Sequence, residues 1–447
     1  MIVPLMSAAA DTCGGKAGAL GALLRAGLPV PDGFVVSFAA YRAAVRDLDL
    51  ERFADEPGHP GAVRRAIEAR PVHATVIDAL GHALDELGDP PVAVRSSAAH
   101  EDTGQASAAG QHDSFLAVRG VGAVTDAIRA CWASLFTSRA IDYRGASGRG
   151  GRPFDDLVMA VLVQRHLDAE VSGVMFTPAD PHDATRIEAS WGLGPSIVGG
   201  TVTPDAYRVA EDGSVTRTVA HKRTRLDRRG RQLVMSDVPT PARDRPAIDD
   251  ATAKLLAELG KEIAAVRGGP QDVEWAIADG RTWILQARPV TAAPPAWPSP
   301  AGPTPAAAPT LAGTPGSHGV VTGTARIIRG PRDFTRAHPG DIIVCPFTDP
   351  AWTPLLRIAA GVITETGGVL SHAAIVAREH GIPAVLGIPN ATSRLHDDTT
   401  ITIDGTTGTV TAAPSPSAAS NSRTHTHVTH DRKETGSGPT RPSRPNR

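Results

Sequence analysis

Leu20, Leu23 and Leu24 recur at helical spacing between Gly15 and Gly27, and Pro29, Pro31 and Gly33 then stop that helix before a β-rich stretch, Phe34 to Ser37. Val92 to Arg95, Leu157 to Gln164 and Gly173 to Thr177 read as short strands, and Asp250 to Val266 reads as a helix. Interleaved helices and strands predict an α/β or α+β protein. Between Gln271 and Arg288 the pair Asp279-Gly280 marks a hairpin. A two-residue loop would set Glu274 opposite Leu285 and mix the two faces. A three-residue loop, Ala278-Asp279-Gly280, instead collects Val273, Trp275, Ile277, Trp283, Leu285 and Ala287 on one apolar face, so burial favours it. The opposite face then carries Asp272, Glu274, Gln286 and Arg288, with Ile284 as its only large apolar residue.

This patterning is interrupted twice. Seven prolines fall between Pro294 and Pro309, spaced by Ala, Gly, Ser and Thr, which predicts a polyproline-rich linker reaching roughly 60 Å. After Val410 almost no bulky apolar residue remains, so 412 to 447 is expected to be a disordered tail in which His425, His427 and His430 are solvated. A chain of 447 residues has room for about three domains at roughly 150 residues each. The expected division is 1–292, a linker over 293–312, 313–411, and the tail.

Composition narrows the function classes. With 45 basic and 47 acidic residues the net charge is −2, which supplies no global field for nucleic acid or an anionic membrane. No apolar run reaches membrane-spanning length and no basic leader precedes one, so a cytoplasmic protein without nucleic-acid or membrane partners is expected. Cys13, Cys131 and Cys345 stand far apart and read as small buried hydrophobes, not disulfides or a thiolate site. Lysine is rare, only five of the 45 basic residues, yet Lys16 sits beside Gly14 and Gly15.

Four segments could carry chemistry. Thr12 to Gly18 places three glycines around Lys16 at a helix start, where backbone N–H groups and an ammonium can meet a phosphate. Ala93-Val94-Arg95-Ser96-Ser97, followed by Ser107-Ala108-Ala109-Gly110-Gln111, delivers a guanidinium and hydroxyls into a loop of small residues suited to an oligophosphate. The polar hairpin face offers oxygen ligands beside an arginine, suited to Mg²⁺ on phosphates. Thr364 to Glu379 sets His372 in the first turn of a helix that Ser371 can cap and Gly381 and Pro383 close, so an imidazole nucleophile would face the positive end of the helix dipole. Each segment alone also has a plain structural reading: a Gly-rich turn, an ion pair, a solvated sheet face, a core histidine.

In order and wording these segments resemble the phosphoenolpyruvate-utilising phosphotransferases: pyruvate phosphate dikinase, phosphoenolpyruvate synthase and rifampicin phosphotransferase. Gly14-Gly15-Lys16, Leu28 to Phe34, Val94 to Ser97, Ser172 to Thr177, Trp191 to Gly194, Val202 to Asp205 and Gln271 to Trp275 look like their nucleotide-binding domain. Thr348-Asp349-Pro350 and Gly367 to Glu379 look like their mobile phosphohistidine domain. The resemblance covers most of 11 to 411 and implies an ATP-grasp-like ATP-binding domain plus a small swivelling β/α domain. It implies that Lys16, Arg95, Ser107, Gly110, Gln111, Gln164, Arg165, His166 and Arg288 bind ATP, and that Glu274 and Gln286 bind Mg²⁺. His372 would take the β-phosphoryl of ATP, leaving AMP and inorganic phosphate, and pass it to an acceptor. Pro195 departs from the acidic or amide residue common in the family. The domain that binds the acceptor in those relatives has no counterpart in the 447 residues. Two readings therefore stand: an enzyme acting on a small-molecule acceptor in a pocket of its own, or a phosphocarrier subunit whose acceptor site lies on a separate polypeptide.

Overall fold

Short β-branched runs bounded by Gly and Pro become strands, and the amphipathic runs between them become helices that cover those strands. The computed structural model describes residues 1–48, 59–99, 113–137, 140–141, 157–180, 182–295 and 310–412. The Pro-rich stretch from 296 to 309, the loop with Ser107, Gly110 and Gln111, and the tail after 412 lie outside these residues. Three large sheets and one two-stranded ladder, Thr224–Arg229 with Gln232–Asp237, organise the described chain. The first has five antiparallel strands in the order Ile2–Pro4, Gly33–Val36, Met159–Arg165, Val92–Ala98, Ser114–Val118. The second has six, in the order Arg281–Pro289, Gln271–Ala278, Val171–Phe176, Thr185–Trp191, Asp205–Val209, Val215–Thr218. The third, of eight strands, is mixed, with Val320–Ile327, Ile342–Cys345, Gly361–Thr364 and Ala384–Leu386 running parallel at its centre.

The fold is thus α/β and α+β, as the interleaved pattern predicts. One core runs beneath the first two sheets, where Leu20 and Leu23 of helix Ala10–Arg25 meet Leu256 and Ile263 of helix Asp250–Arg267. That second helix is bounded at one end by Asp249, whose carboxylate accepts from Thr252 N at 2.8 Å, and at the other by left-handed Gly268. The third sheet is buried on both faces, which accounts for the unbroken apolar runs Ile342–Cys345 and Gly361–Thr364. All three cysteines are buried and free. Among the described residues no helix is long and apolar enough to cross a membrane.

The hairpin corrects the sequence reading. Asp279 and Gly280 both have positive φ, 52° and 67°, and Ala278 pairs with Arg281, so the loop has two residues and not three. The register nevertheless shifts at Glu274/Trp275, because Leu285 is inserted as a bulge and Trp275 faces Ile284 while Glu274 faces Gln286. The polar set Asp272, Glu274, Gln286 and Arg288 therefore does share a face. The apolar face is different: Ile284 is fully buried with Val273, Trp275 and Ala287, whereas Trp283 is only half-buried under the guanidinium of Arg281, 4.1 Å from its ring centre. A bulge lets the favoured turn and the favoured face coexist, which counting residues along two regular strands cannot reveal.

This register has a measurable consequence. Ile284→Asn should cost about 3–5 kcal/mol in denaturant unfolding, since it loses core contacts and buries an unpartnered amide. Leu285→Asn, on the cavity side, should cost about 1 kcal/mol. The reverse order would restore the three-residue loop.

Candidate functional site

The site draws residues from elements of all three large sheets and the helices beside them. Gly14, with φ 81°, breaks helix Ala10–Arg25 into two segments where it crosses strand Val92–Ala98, and a Cβ there would lie 2.1 Å from the Ser97 carbonyl oxygen. Ser97 Oγ donates to the Cys13 carbonyl at 2.7 Å and accepts from Ala17 N at 3.0 Å. Lys16, 5% exposed, donates to the Ser96 carbonyl at 2.9 Å. The glycine-lysine turn and the arginine-serine strand are therefore one unit, stitched by hydrogen bonds that hold the Lys16 ammonium at the cavity wall.

The hairpin supplies the next wall. Arg288 and Asp272 form a buried ion pair at 2.8 Å. Arg95 donates to Gln286 Oε1 at 2.5 Å, stands 3.5 Å from Glu274 Oε2, and donates to the carbonyl of the bulged Leu285 at 2.6 Å. The bulge thus aligns Glu274 with Gln286 and turns a carbonyl toward the same guanidinium.

His372 opens helix His372–Glu379 and is 4% exposed. Its Nδ1 lies 3.0 Å from Thr348 Oγ1 and its Nε2 3.4 Å from Thr353 Oγ1. Burial, with a smaller contribution from the Arg288 charge, pushes its pKa down to about 4, so the imidazole is neutral at pH 7. Ser371 stands at the N-cap position but, contrary to the sequence reading, does not cap with its side chain; its hydroxyl donates to the Gly368 carbonyl at 2.8 Å.

One cavity of about 550 Å³ connects these groups, and Lys16, Arg95, Gln164, Arg165, His166, Glu274, Gln286, Arg288 and His372 all line it. Some of their side chains also make fixed contacts: Gln164 donates to the Pro31 carbonyl at 3.0 Å and Arg165 to that of Leu87 at 2.6 Å. Burial lowers the pKa of His166, chiefly by desolvation. Pro195 also lines the cavity, at the first turn of helix Pro195–Val198, where its missing N–H costs nothing. Ser107, Gly110 and Gln111 fall outside the described residues.

Sequence reasoning missed Glu188. From strand Thr185–Trp191 its carboxylate accepts from Val369 N at 2.5 Å and Leu370 N at 3.2 Å, in the loop that leads to His372. A Cβ on Gly368 would lie 2.3 Å from the Glu188 oxygens, so the second glycine of the pair admits the carboxylate. Thr366 Oγ1 donates to the Gly200 carbonyl at 2.6 Å, and Leu370 and Ile375 pack with Val174, Phe176, Ile197 and Val202. Burial raises Glu188 to about 7 against the two N–H donors and the charges of Arg378 and Arg186. Arg378 itself donates to the Gly316 and Val369 carbonyls at 2.9 and 2.8 Å. The only available sequence signal was an acidic residue between Ile187 and Ala189, three residues before Trp191.

Comparison with known proteins supplies the family. Residues 10–300 match the family described as pyruvate phosphate dikinase, AMP/ATP-binding domain, and 337–408 the PEP-utilising enzyme, mobile domain. A probable phosphoenolpyruvate synthase of Methanothermobacter thermautotrophicus is 39% identical over 422 residues, covering 89% of this chain and 61% of that protein. A second, from Archaeoglobus fulgidus, is 36% identical over 89% of this chain and 56% of its own length. The chain thus spans about six tenths of the length of these relatives.

The Glu188 contact is pH-dependent in a defined direction. In the docked arrangement its pKa is raised to about 7, above the ordinary 4.5, so docking takes up a proton. Its contribution to docking is complete below about 4.5 and is lost as pH rises through about 7. Hydrogen exchange corrected for intrinsic rates should show protection of the Val369 and Leu370 amides falling between about pH 4.5 and 7, with Glu188→Gln flattening the profile. Protection that rises with pH would contradict this assignment.

Proposed function

The chain belongs to the phosphoenolpyruvate-utilising enzyme family, and on that footing we propose that it is an ATP-dependent phosphotransferase of the dikinase type. The β-phosphoryl of ATP passes to His372, AMP and inorganic phosphate are released, and the phosphoryl group moves on to a small-molecule acceptor. The observation that carries this reading is the convergence of a neutral, buried imidazole and the cations Lys16, Arg95 and Arg288 on one cavity.

The residues divide the work by chemistry. Lys16, Arg95 and Arg288 neutralise phosphate oxygens, and Gln164, Arg165 and His166, which line the same cavity, would lie near the base. The Nδ1 side of His372 is buried against Thr348 while the Nε2 side is less enclosed, which favours Nε2 as the nucleophile. With the Nδ1 proton held toward Thr348, the Nε2 lone pair bonds to the β-phosphorus, and the bridge to the α-phosphorus breaks with its oxygen leaving on AMP. One water then cleaves the γ-phosphoryl away as inorganic phosphate. Glu274 Oε2 and Gln286 Oε1 already share a cationic partner in the Arg95 guanidinium, so this oxygen pair fits a cation. Those two oxygens would hold Mg²⁺, which needs further ligands from phosphates and water and, when bound, supplies charge neutralisation on the phosphates.

Reaching an acceptor requires His372 to leave the seam, so we take 1–292 and 313–411 as the two parts that separate about a 293–312 linker. A second reading is a phosphocarrier whose acceptor site lies on a separate polypeptide. We place either form in the cytoplasm.

Incubation with Mg·ATP should add one phosphoryl mass per chain and release one AMP. His372→Ala should abolish both, and Glu274→Ala should slow them about a hundredfold with an unchanged thermal midpoint. Because the pKa of His372 is lowered to about 4, the rate should show no loss centred near pH 6.5. ADP as the stoichiometric product, or an adduct that survives His372→Ala, would overturn the proposal. With pyruvate as the acceptor, the 447-residue protein alone should form no phosphoenolpyruvate; steady formation would place an acceptor site on this chain.

A further inference from the structure

Two hydroxyls bracket the imidazole of His372, those of Thr348 and Thr353. The second, Thr353 Oγ1, lies 3.4 Å from Nε2 at a half-buried position that opens helix Thr353–Leu356. Its backbone is anchored by the turn that precedes it. The Asp349 carboxylate accepts from Ala351 N at 2.7 Å, Trp352 N donates to the Asp349 carbonyl at 2.9 Å, and the buried Trp352 ring packs edge-on against Phe334 at 4.9 Å. A β-branched side chain on such a backbone has little χ1 freedom. The hydroxyl hydrogen, by contrast, rotates freely.

We propose that Thr353 is a catalytic residue whose hydroxyl donates a hydrogen bond to the phosphoryl group as it forms on His372 Nε2. This inference rests on the phosphohistidine reading above. In the neutral ring with the proton on Nδ1, the Nε2 lone pair is the acceptor within reach of the Thr353 hydroxyl. At 3.4 Å that bond is long, so relinquishing it costs the nucleophile little. When the lone pair bonds to phosphorus the acceptor disappears, and the nearest oxygens are those of the arriving phosphoryl group. The hydroxyl turns to one of them, while its own proton stays on Oγ1 and the Nδ1 proton stays toward Thr348. A donor engaged more strongly after bond formation than before it lowers the barrier to transfer and stabilises the phosphohistidine once made.

The test uses the full-length protein, Thr353→Val and Thr353→Ser, with two phosphoryl donors. With Mg·ATP, Thr353→Val should lower the single-turnover rate of His372 phosphorylation about tenfold at unchanged ATP affinity and thermal midpoint, and Thr353→Ser should restore it. With phosphoramidate, which phosphorylates imidazole without any nucleotide, the phosphohistidine of Thr353→Val should decay several-fold faster than that of the wild type or Thr353→Ser. Wild-type rate and lifetime in Thr353→Val, or a serine variant as impaired as the valine one, would overturn the inference and leave the phosphotransferase reading intact. Labelling of the wild type by phosphoramidate but not by Mg·ATP would defeat that reading, while the lifetimes would still decide the role of Thr353. Failure of the wild type to take phosphate from either donor would overturn both.

Discussion

The carboxylate of Glu188, enclosed between two sheets and met by the amides of Val369 and Leu370, is the contact on which the rest of the site depends. Without it the histidine-bearing loop has no polar anchor of this kind on the strand Thr185–Trp191, and the cavity loses the wall that His372 and Ile375 provide. The anchor is also weak by construction. Moving a glutamate from 4.5 to about 7 corresponds to roughly 3 kcal/mol against the ionised, buried form. That charge offsets part of the gain from packing Leu370 and Ile375 onto Val174, Phe176, Ile197 and Val202. A seam built this way can hold and can also open, as a phosphoryl shuttle requires.

The cationic side of the cavity is made rigid by different means. Each cation there is held by backbone carbonyls or by a buried carboxylate: Lys16 on Ser96, Arg95 on Leu285, Arg288 on Asp272. Such partners restrict the side chains before any ligand arrives, which lowers the ordering cost of binding a polyphosphate. The bulge at Leu285 is central to this arrangement, since it satisfies the tight turn at Asp279-Gly280, buries Ile284 and aligns Glu274 with Gln286.

Much of this was legible in the sequence because it is local. Glycines beside a lysine, an arginine strand, and a histidine one residue after a serine each leave a mark within a few positions, and the structure brings them to one cavity. The Asp272, Glu274, Gln286 and Arg288 face was reached through a wrong loop length, because a one-residue bulge and a one-residue longer turn give the same parity beyond the irregularity. Glu188 and Thr353 were not legible. Their partners lie 181 and 19 residues away, and neither residue type in its own segment signals a ligand or a docking surface. Gly368 shows the same limit: its position suggests a turn, and only the approach of Glu188 shows which contact a side chain there would displace.

The central claim is that the β-phosphoryl of ATP comes to rest on His372. ATP radiolabelled separately at the β- and γ-phosphorus, incubated with the full-length protein and Mg²⁺ and followed by peptide mapping under alkaline conditions, tests it most directly. The account predicts that label from the β position is retained on the peptide containing His372, while label from the γ position appears only as inorganic phosphate. Retention of the γ label on the protein, or β label recovered wholly as ADP, would contradict it.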